Sequence, residues 1–135
     1  EFYMPYVRPI FHKYKKKGRL CLWHCDGKLN EEAMRLIPEL GVDAFLWPCA
    51  DVDLSVYKES IGKKMSLMGN LHSHLLMRST PEEVDMAVKD QIKKGAPGGG
   101  YVFSLGGEVI YGTPPDNIET MIRAVEKYGK YPISL

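Results

Sequence analysis

Hydrophobic and polar positions along this chain alternate between short apolar runs and longer stretches with helical periodicity. The apolar runs predict strands at residues 19–23, 42–47, 65–68 and 101–104. The periodic stretches predict helices at residues 2–14, about 30–40, near 55–61, about 81–94 and a last one that ends at Tyr128. Because the strands are short, apolar and separated by helices, the pattern predicts an α/β fold with a parallel sheet, either covered on both faces or closed into a barrel.

Two of the predicted helices carry clear capping signals. Asn30 is placed to cap the second helix, and Pro38 should shorten or bend that helix. The segment Thr80-Pro81-Glu82-Glu83 combines a capping box with proline at the first helical position. These signals support a strand–helix unit that is repeated four times along the chain.

Four strand–helix units amount to half of a (β/α)8 barrel, a fold that runs to ~250 residues or more. No composition break divides the chain, so we interpret residues 1–135 as one domain, a half barrel. A half barrel exposes two unpaired strand edges and much of its apolar inner face. We therefore expect either a homo-oligomer or a longer polypeptide that supplies the amino-terminal half, and the first residue, Glu1 rather than Met, leads us to expect a fragment or a processed product.

Composition narrows the class of protein further. The chain has a formal net charge of +1 at pH 7, with 26% charged and 44% hydrophobic residues, which argues against nucleic-acid binding and against disorder. No apolar run approaches the ~20 residues of a membrane helix, so we expect no membrane partner. Three cysteines without CxxC spacing indicate a reduced, cytoplasmic setting rather than a disulfide framework.

Polar side chains follow each of the first three predicted strands. His24 and Asp26 lie in the segment Trp23-His24-Cys25-Asp26-Gly27, where the first strand ends. In α/β proteins, ligands and catalytic groups collect at the carboxyl ends of parallel strands, so we expect these side chains to converge. The converging set is His24, Asp26, Cys49, Asp51, His72 and His74.

These residue types suit several roles in one site. Imidazole, carboxylate and thiolate groups bind zinc, so His24, Asp26 and Cys49 are the candidate metal ligands. Asp26 is also a candidate acid–base group, together with Glu108 in the loop after the fourth strand. The candidate substrate-binding residues are Asp51, Asn70 and His72.

Simpler roles account for the same residues. His24 and Asp26 can bind an organic substrate by hydrogen bonds or can satisfy one another, and Cys49 can fill a small apolar space. His72 and His74 cannot both point inward if their segment is extended, and His72 is favoured because it continues the strand end.

The third and fourth units carry an ordered series of short motifs. The series reads Gly69-Asn70-Leu71, Thr80-Pro81-Glu82-Glu83-Val84, Gly95-Ala96-Pro97-Gly98-Gly99-Gly100-Tyr101 and Gly112-Thr113-Pro114-Pro115-Asp116-Asn117. It resembles the carboxyl-terminal half of the uroporphyrinogen decarboxylase superfamily, and the resemblance extends over essentially the whole chain. The resemblance implies the second half of a TIM barrel, four parallel strands with covering helices.

The decarboxylases of this superfamily remove acetate carboxyl groups from a tetrapyrrole without a cofactor. They carry Gly-His-Gly after the last strand, where this chain has Gly106-Gly107-Glu108 and therefore no matching histidine. Their arginine and aspartate groups for the substrate come from the first half of the family's barrel. The resemblance therefore implies that residues 1–135 alone do not decarboxylate uroporphyrinogen.

Other members are zinc-dependent methyltransferases that move methyl groups between a corrinoid and a thiol. They hold zinc with His-x-Cys after one strand and with a later cysteine. His24 matches the first position, but Asp26 stands at the second, and Gly100-Tyr101 stands where the later cysteine belongs. Alternate residues of a strand share a face, so Cys25 should point toward the helices if His24 and Asp26 point into the barrel mouth.

We favour methyl transfer that involves a corrinoid or a thiol acceptor. The resemblance implies zinc as the metal and a corrinoid that a partner protein carries. A zinc ion at His24 would lower the pKa of a coordinated thiol and so produce the thiolate nucleophile. The first alternative is a tetrapyrrole decarboxylase of haem biosynthesis, which needs no cofactor, and the second is a truncated half barrel without catalysis. The expected ligand is a small molecule, a tetrapyrrole or a corrinoid.

Overall fold

Four short strands form one parallel sheet in the order β1-β2-β3-β4, so that strands consecutive in the chain are neighbours. The computed structural model describes residues 3–133 and 135. The strands are β1 (Leu22–His24), β2 (Ala44–Leu46), β3 (Ser66–Met68) and β4 (Tyr101–Val102). The predicted parallel sheet is confirmed. Each strand is shorter than predicted because pairing extends over only two or three residues, and His24 ends β1 instead of following it.

Helices connect the strands and cover one side of the sheet. They are α1 (Met4–Lys15), α2 (Glu31–Leu36), a 3-10 helix (Ile37–Leu40), α3 (Leu54–Ile61), α4 (Ser73–Arg78), α5 (Pro81–Gly95) and α6 (Pro115–Tyr128). The helix predicted from Phe2 begins at Met4 among the described residues, and Phe2 itself lies outside them. Helix α4 was not predicted, since residues 69–74 read as a loop. No helix within residues 3–133 combines the length and the apolar character that a bilayer crossing requires.

The capping predictions are confirmed by hydrogen bonds. Asn30 accepts the backbone N–H of Ala33 at 2.8 Å, and α2 gives way to the 3-10 helix that contains Pro38. The Thr80 hydroxyl accepts the backbone N–H of Glu83 at 3.3 Å, and the Glu83 carboxylate accepts the backbone N–H of Thr80 at 2.8 Å. This capping box forms the start of α5. These ends position the helices that pack under the sheet.

The two faces of the sheet differ in burial. Lateral neighbours in a parallel sheet point to the same side, and one row packs under the helices: Trp23, Phe45, Leu67 and Tyr101. Phe45 and Leu67 are completely buried, and Tyr101 contacts both hydrophobic clusters of the core. The next row, His24, Leu46, Met68 and Val102, belongs to neither cluster. The chain is thus an α/β half barrel whose inner face is open, as predicted.

Candidate active site

A cleft of about 350 Å³ lies at the carboxyl ends of the four strands. Its lining comes from the segments that follow β1, β2, β3 and β4. Six residues singled out from the sequence line it, namely Asp26, Cys49, Asp51, His72, His74 and Glu108. Trp47 lines it as well. A cleft of this size can hold a small organic ligand.

His24 and Asp26 form a hydrogen-bonded pair at the edge of this cleft. His24 Nε2 lies 2.9 Å from Asp26 Oδ1, and the His24 side chain is 39% exposed. The imidazole packs edge-on against the Trp47 indole, with ring centroids 5.1 Å apart. Trp47 and Asp26 thus orient the imidazole, which can still be reached from solvent.

Trp47 is a site residue that sequence reasoning missed. Its backbone φ is +54°, in the left-handed region that bulky residues rarely adopt. The backbone N–H of Trp47 donates to the Met68 carbonyl at 2.7 Å, so β3 holds this conformation in place. Such conformations concentrate at functional sites. The available sequence signal was a large aromatic residue at a strand end.

His72 and Asp51 form a second imidazole–carboxylate pair across the cleft. His72 Nε2 lies 3.4 Å from Asp51 Oδ1, while His72 Nδ1 accepts the backbone N–H of His74 at 3.1 Å. Because Nδ1 accepts a hydrogen bond, the neutral ring carries its proton on Nε2, facing the carboxylate. Both ring nitrogens are thus engaged within the protein.

The expectation that only one of His72 and His74 faces the site was wrong. Both line the cleft, and their ring centroids are 5.2 Å apart. The expectation assumed an extended segment, whereas α4 begins at Ser73 and His72 is its N-cap. Helical turning brings both imidazoles to the same side.

Asn70 lies beneath the cleft and is 2% exposed. Its side-chain Nδ2 donates to the carbonyls of Cys49 and Val52 at 3.1 and 3.0 Å, which fixes the loop that carries Asp51. Gly106 closes against the same loop, where an added Cβ would lie 2.9 Å from the Ala50 Cβ. Asn70 thus supports the cleft from below, and direct contact with a substrate stays a prediction.

The described residues offer an incomplete donor set for zinc. Among residues 3–133 and 135, no three His, Cys, Asp or Glu side chains group closely enough to hold a metal ion. His24 and Asp26 offer two donors that bond one another, whereas a catalytic zinc site uses three protein ligands. Cys25 packs against the core under the sheet, as strand alternation predicted, and Cys49 lines the cleft. The described residues alone do not fit zinc.

The charge of the cleft is predominantly acidic. Asp26, Asp51 and Glu108 contribute three carboxylates, and no lysine or arginine is among the described residues that line it. A cleft lined by charges of one sign repels ligands of that sign. This wall therefore disfavours polycarboxylates and suits a neutral or proton-releasing ligand.

Comparison with known proteins places these features in context. The family model described as Uroporphyrinogen decarboxylase (URO-D) matches residues 1–128. The chain is 32% identical to the uroporphyrinogen decarboxylase of Coxiella burnetii over 57% of this chain and 21% of the relative. It is 36% identical to that of Methylobacillus flagellatus over 55% of this chain and 21% of the relative. The matched part thus spans about a fifth of the length of these curated relatives.

A solved structure supports the fold. The chain superimposes on a methyltransferase from Methanosarcina mazei with a TM-score of 0.74 at 17% sequence identity. The superposition covers 93% of this chain and 36% of the methyltransferase chain. The coverage agrees with a half barrel, and at this identity the likeness concerns the fold alone.

Proposed function

The chain belongs to the uroporphyrinogen decarboxylase family, and on that premise we propose that it forms the strand-end wall of an active site that transfers a methyl group to a thiol. The observation that supports this proposal is the acidic cleft with its two imidazole–carboxylate pairs, His24–Asp26 and His72–Asp51. A thiol enters such a cleft without charge and needs a base to become a nucleophile. Imidazole held by a carboxylate is a base of that kind.

His24 is the residue that we assign as the base. The Nε2–H of the neutral ring donates to Asp26, which leaves the lone pair of Nδ1 to accept the thiol proton. The Asp26 carboxylate then stabilises the imidazolium that forms. His72 has both nitrogens engaged, so we assign it to positioning of the cleft wall.

The methyl transfer itself proceeds by displacement. The thiol proton moves to His24, and the thiolate sulfur forms a bond to the methyl carbon. The bond between that carbon and its donor breaks, and its electron pair stays with the donor. The family resemblance implies a corrinoid as the donor, and the cleft of about 350 Å³ has room for a small thiol but not for a macrocycle. The donor therefore approaches from outside the cleft.

In a complete ligand set, zinc would activate a thiol by lowering the pKa of the coordinated sulfur. The described residues do not provide such a set, since His24 and Asp26 offer two donors that bond one another. The proposal routes no step through a metal.

Tetrapyrrole decarboxylation is the second candidate. The curated relatives at 32% and 36% identity carry the name uroporphyrinogen decarboxylase, which favours it. The acidic cleft opposes it, because a substrate with several carboxylates would meet Asp26, Asp51 and Glu108 without a compensating cation from the described lining.

Parallel turnover assays distinguish the two activities. The purified chain is incubated with methylcobalamin and the uncharged thiol 2-mercaptoethanol, and separately with uroporphyrinogen, and products are quantified by mass spectrometry. The proposal predicts the methyl thioether and no loss of carboxyl groups. Carboxyl loss without thioether would establish the second candidate, and a chain inert in both assays would contradict the proposal in favour of a half barrel without catalysis.

A further inference from the structure

A second cleft, of about 730 Å³, lies at the amino ends of β2 and β3, the ends of these strands opposite the acidic cleft. Its walls are the carboxyl-terminal end of α1, the turn before β2 and the turn between α3 and β3. β2 and β3 are the inner strands of the sheet, each paired on both sides, so the cleft does not depend on an unpaired strand edge. Its volume is in the range of sites that bind small molecules.

The lining of this second cleft is basic. Four lysines line it, namely Lys15, Lys16, Lys63 and Lys64, and Asp43 is the one carboxylate among the described residues of the lining. Lys15 forms an ion pair with Asp43, so these two charges offset one another. Within residues 3–133 and 135, the other three lysines make no ion pair. Three cations from two separate segments therefore border one volume.

Contacts between the walls give the second cleft its shape without a ligand. The Asp43 carboxylate that pairs with Lys15 also accepts the backbone N–H of Cys21 at 2.8 Å. The Asp43 carbonyl accepts the backbone N–H of Ser66 at 2.9 Å, which joins the turn before β2 to the start of β3. Because α1 and both turns are linked in this way, a ligand does not have to order them.

Helix capping is the ordinary role for lysines at these positions. Lys16 follows α1, and Lys63 and Lys64 follow α3 and its cap, where cations interact favourably with the end of a helix. That role does not require the lysines of two helix ends to line the same cleft. The backbone carbonyls at these ends also repel anions, so any anion bound here is held by the lysine side chains.

We propose that the second cleft binds a short chain of phosphate groups, either inorganic polyphosphate or the phosphates of a nucleotide. Each lysine ammonium is a compact charge that donates hydrogen bonds to phosphate oxygens. An anion with several phosphates can contact the lysines of both segments at once, which a single phosphate does less well. The net charge of +1 at pH 7 disfavours a long nucleic acid, which needs an extended basic surface. The inference does not depend on the reaction that we propose for the acidic cleft.

Equilibrium dialysis of the purified chain against tripolyphosphate tests the proposal without any turnover assay. We expect one bound tripolyphosphate per chain, with an affinity that falls as the salt concentration rises. ATP, dialysed in parallel, distinguishes the two sources of the phosphate chain. Equal affinity would identify the phosphates alone as the ligand, and tighter binding would identify a nucleotide. Both results support the proposal, whereas a wild-type chain that retains neither compound would overturn it.

Lysine variants locate the bound anion. The double variant Lys63→Gln/Lys64→Gln should raise the dissociation constant at least ~10-fold, and Lys16→Gln independently should raise it at least ~3-fold. The matched control, Lys28→Gln/Lys130→Gln, removes the same charge from exposed positions outside the cleft and should bind like the wild type. All three variants should keep the thermal midpoint of the wild type, because these lysines make no ion pair among the described residues.

Three results would overturn the assignment of this cleft. Equal loss of affinity in the two double variants would show that only the overall charge matters. A lowered thermal midpoint with unchanged affinity would show that the lysines only stabilise helix ends. Tighter binding of a single-stranded RNA oligonucleotide than of tripolyphosphate would show that the ligand is a nucleic acid.

Discussion

Lys94 Nζ lies 2.7 Å from Asp53 Oδ2, an ion pair that joins α5 to the residue that caps α3. The same carboxylate accepts the backbone N–H of Ser55 at 2.9 Å. The hydrogen bond from Lys94, followed by those from Ser55, lowers the pKa of Asp53 to about 2. Asp53 lies two residues after Asp51, so this pair anchors the loop that forms one wall of the cleft.

The ion pair predicts a pH-dependent stability difference between the wild type and Asp53→Asn. Asparagine keeps the cap, so the variant should lose about 0.5–1 kcal/mol of unfolding free energy at pH 7, as expected for an exposed pair. The folded-state pKa is depressed from 3.8 to about 2, so this stability is present above pH 4 and is lost as the pH falls toward 2. Urea unfolding at several pH values measures the difference. A difference that stays constant down to pH 2 would contradict the assignment.

Asn70→Ala should destabilise the chain by about 2–3 kcal/mol, because the partly buried carbonyls of Cys49 and Val52 lose their donor. Asn30→Ala removes only an exposed helix cap and should cost about 1 kcal/mol. Chemical denaturation of the two variants provides the comparison. Equal losses would show that Asn70 does not support the loop.

Two half-buried tyrosines, Tyr101 and Tyr128, should respond in opposite ways to removal of the hydroxyl group. The Tyr101 hydroxyl is buried without a hydrogen-bond partner among the described residues, and burial raises its pKa. Tyr101→Phe should therefore leave the unfolding free energy unchanged or raise it by up to about 1 kcal/mol. The Tyr128 hydroxyl donates to the Asp85 carboxylate at 2.7 Å, so Tyr128→Phe should lower the unfolding free energy by about 1–2 kcal/mol. Thermal unfolding of both variants tests this, and a larger loss for Tyr101→Phe would be contradictory.

The elements that the sequence predicted best are those whose signals are local. The capping box at Thr80 and Glu83 and the buried stripe of Val84, Val88 and Ile92 specify α5, which runs one residue beyond the predicted end. These residues interact within three or four positions of one another, so a single sequence contains the information.

Helix α4 shows why other features could not be predicted. It has six residues, and it is held by the complete burial of Leu76 and by Asn117, which donates to the carbonyls of Leu76 and Ser79 at 2.8 Å each. Asn117 lies 41 positions after Leu76 and 38 positions after Ser79 in the chain, so a local pattern does not reveal these contacts. The convergence of polar side chains at the strand ends predicted that His72 lies near Asp51. The hydrogen bond from the His74 backbone N–H to His72 Nδ1 depends on helix α4 and was not predictable.

The tautomer of His72 is a direct test of that geometry. Nitrogen-15 NMR of the imidazole at neutral to alkaline pH should show a proton on Nε2 and none on Nδ1, because Nδ1 accepts the His74 N–H. Ser73→Pro removes the first helical N–H without touching that bond and should leave the tautomer unchanged. A ring protonated on Nδ1 would show that His72 does not cap α4.

The central claim, that His24 removes a proton from a thiol, is tested most directly by the single-turnover rate of thioether formation in His24→Asn. The account predicts a loss of at least ~100-fold relative to the wild type. His12→Asn, an exposed histidine on α1, serves as the control and should keep the wild-type rate. Equal rates for the wild type and His24→Asn would contradict the account.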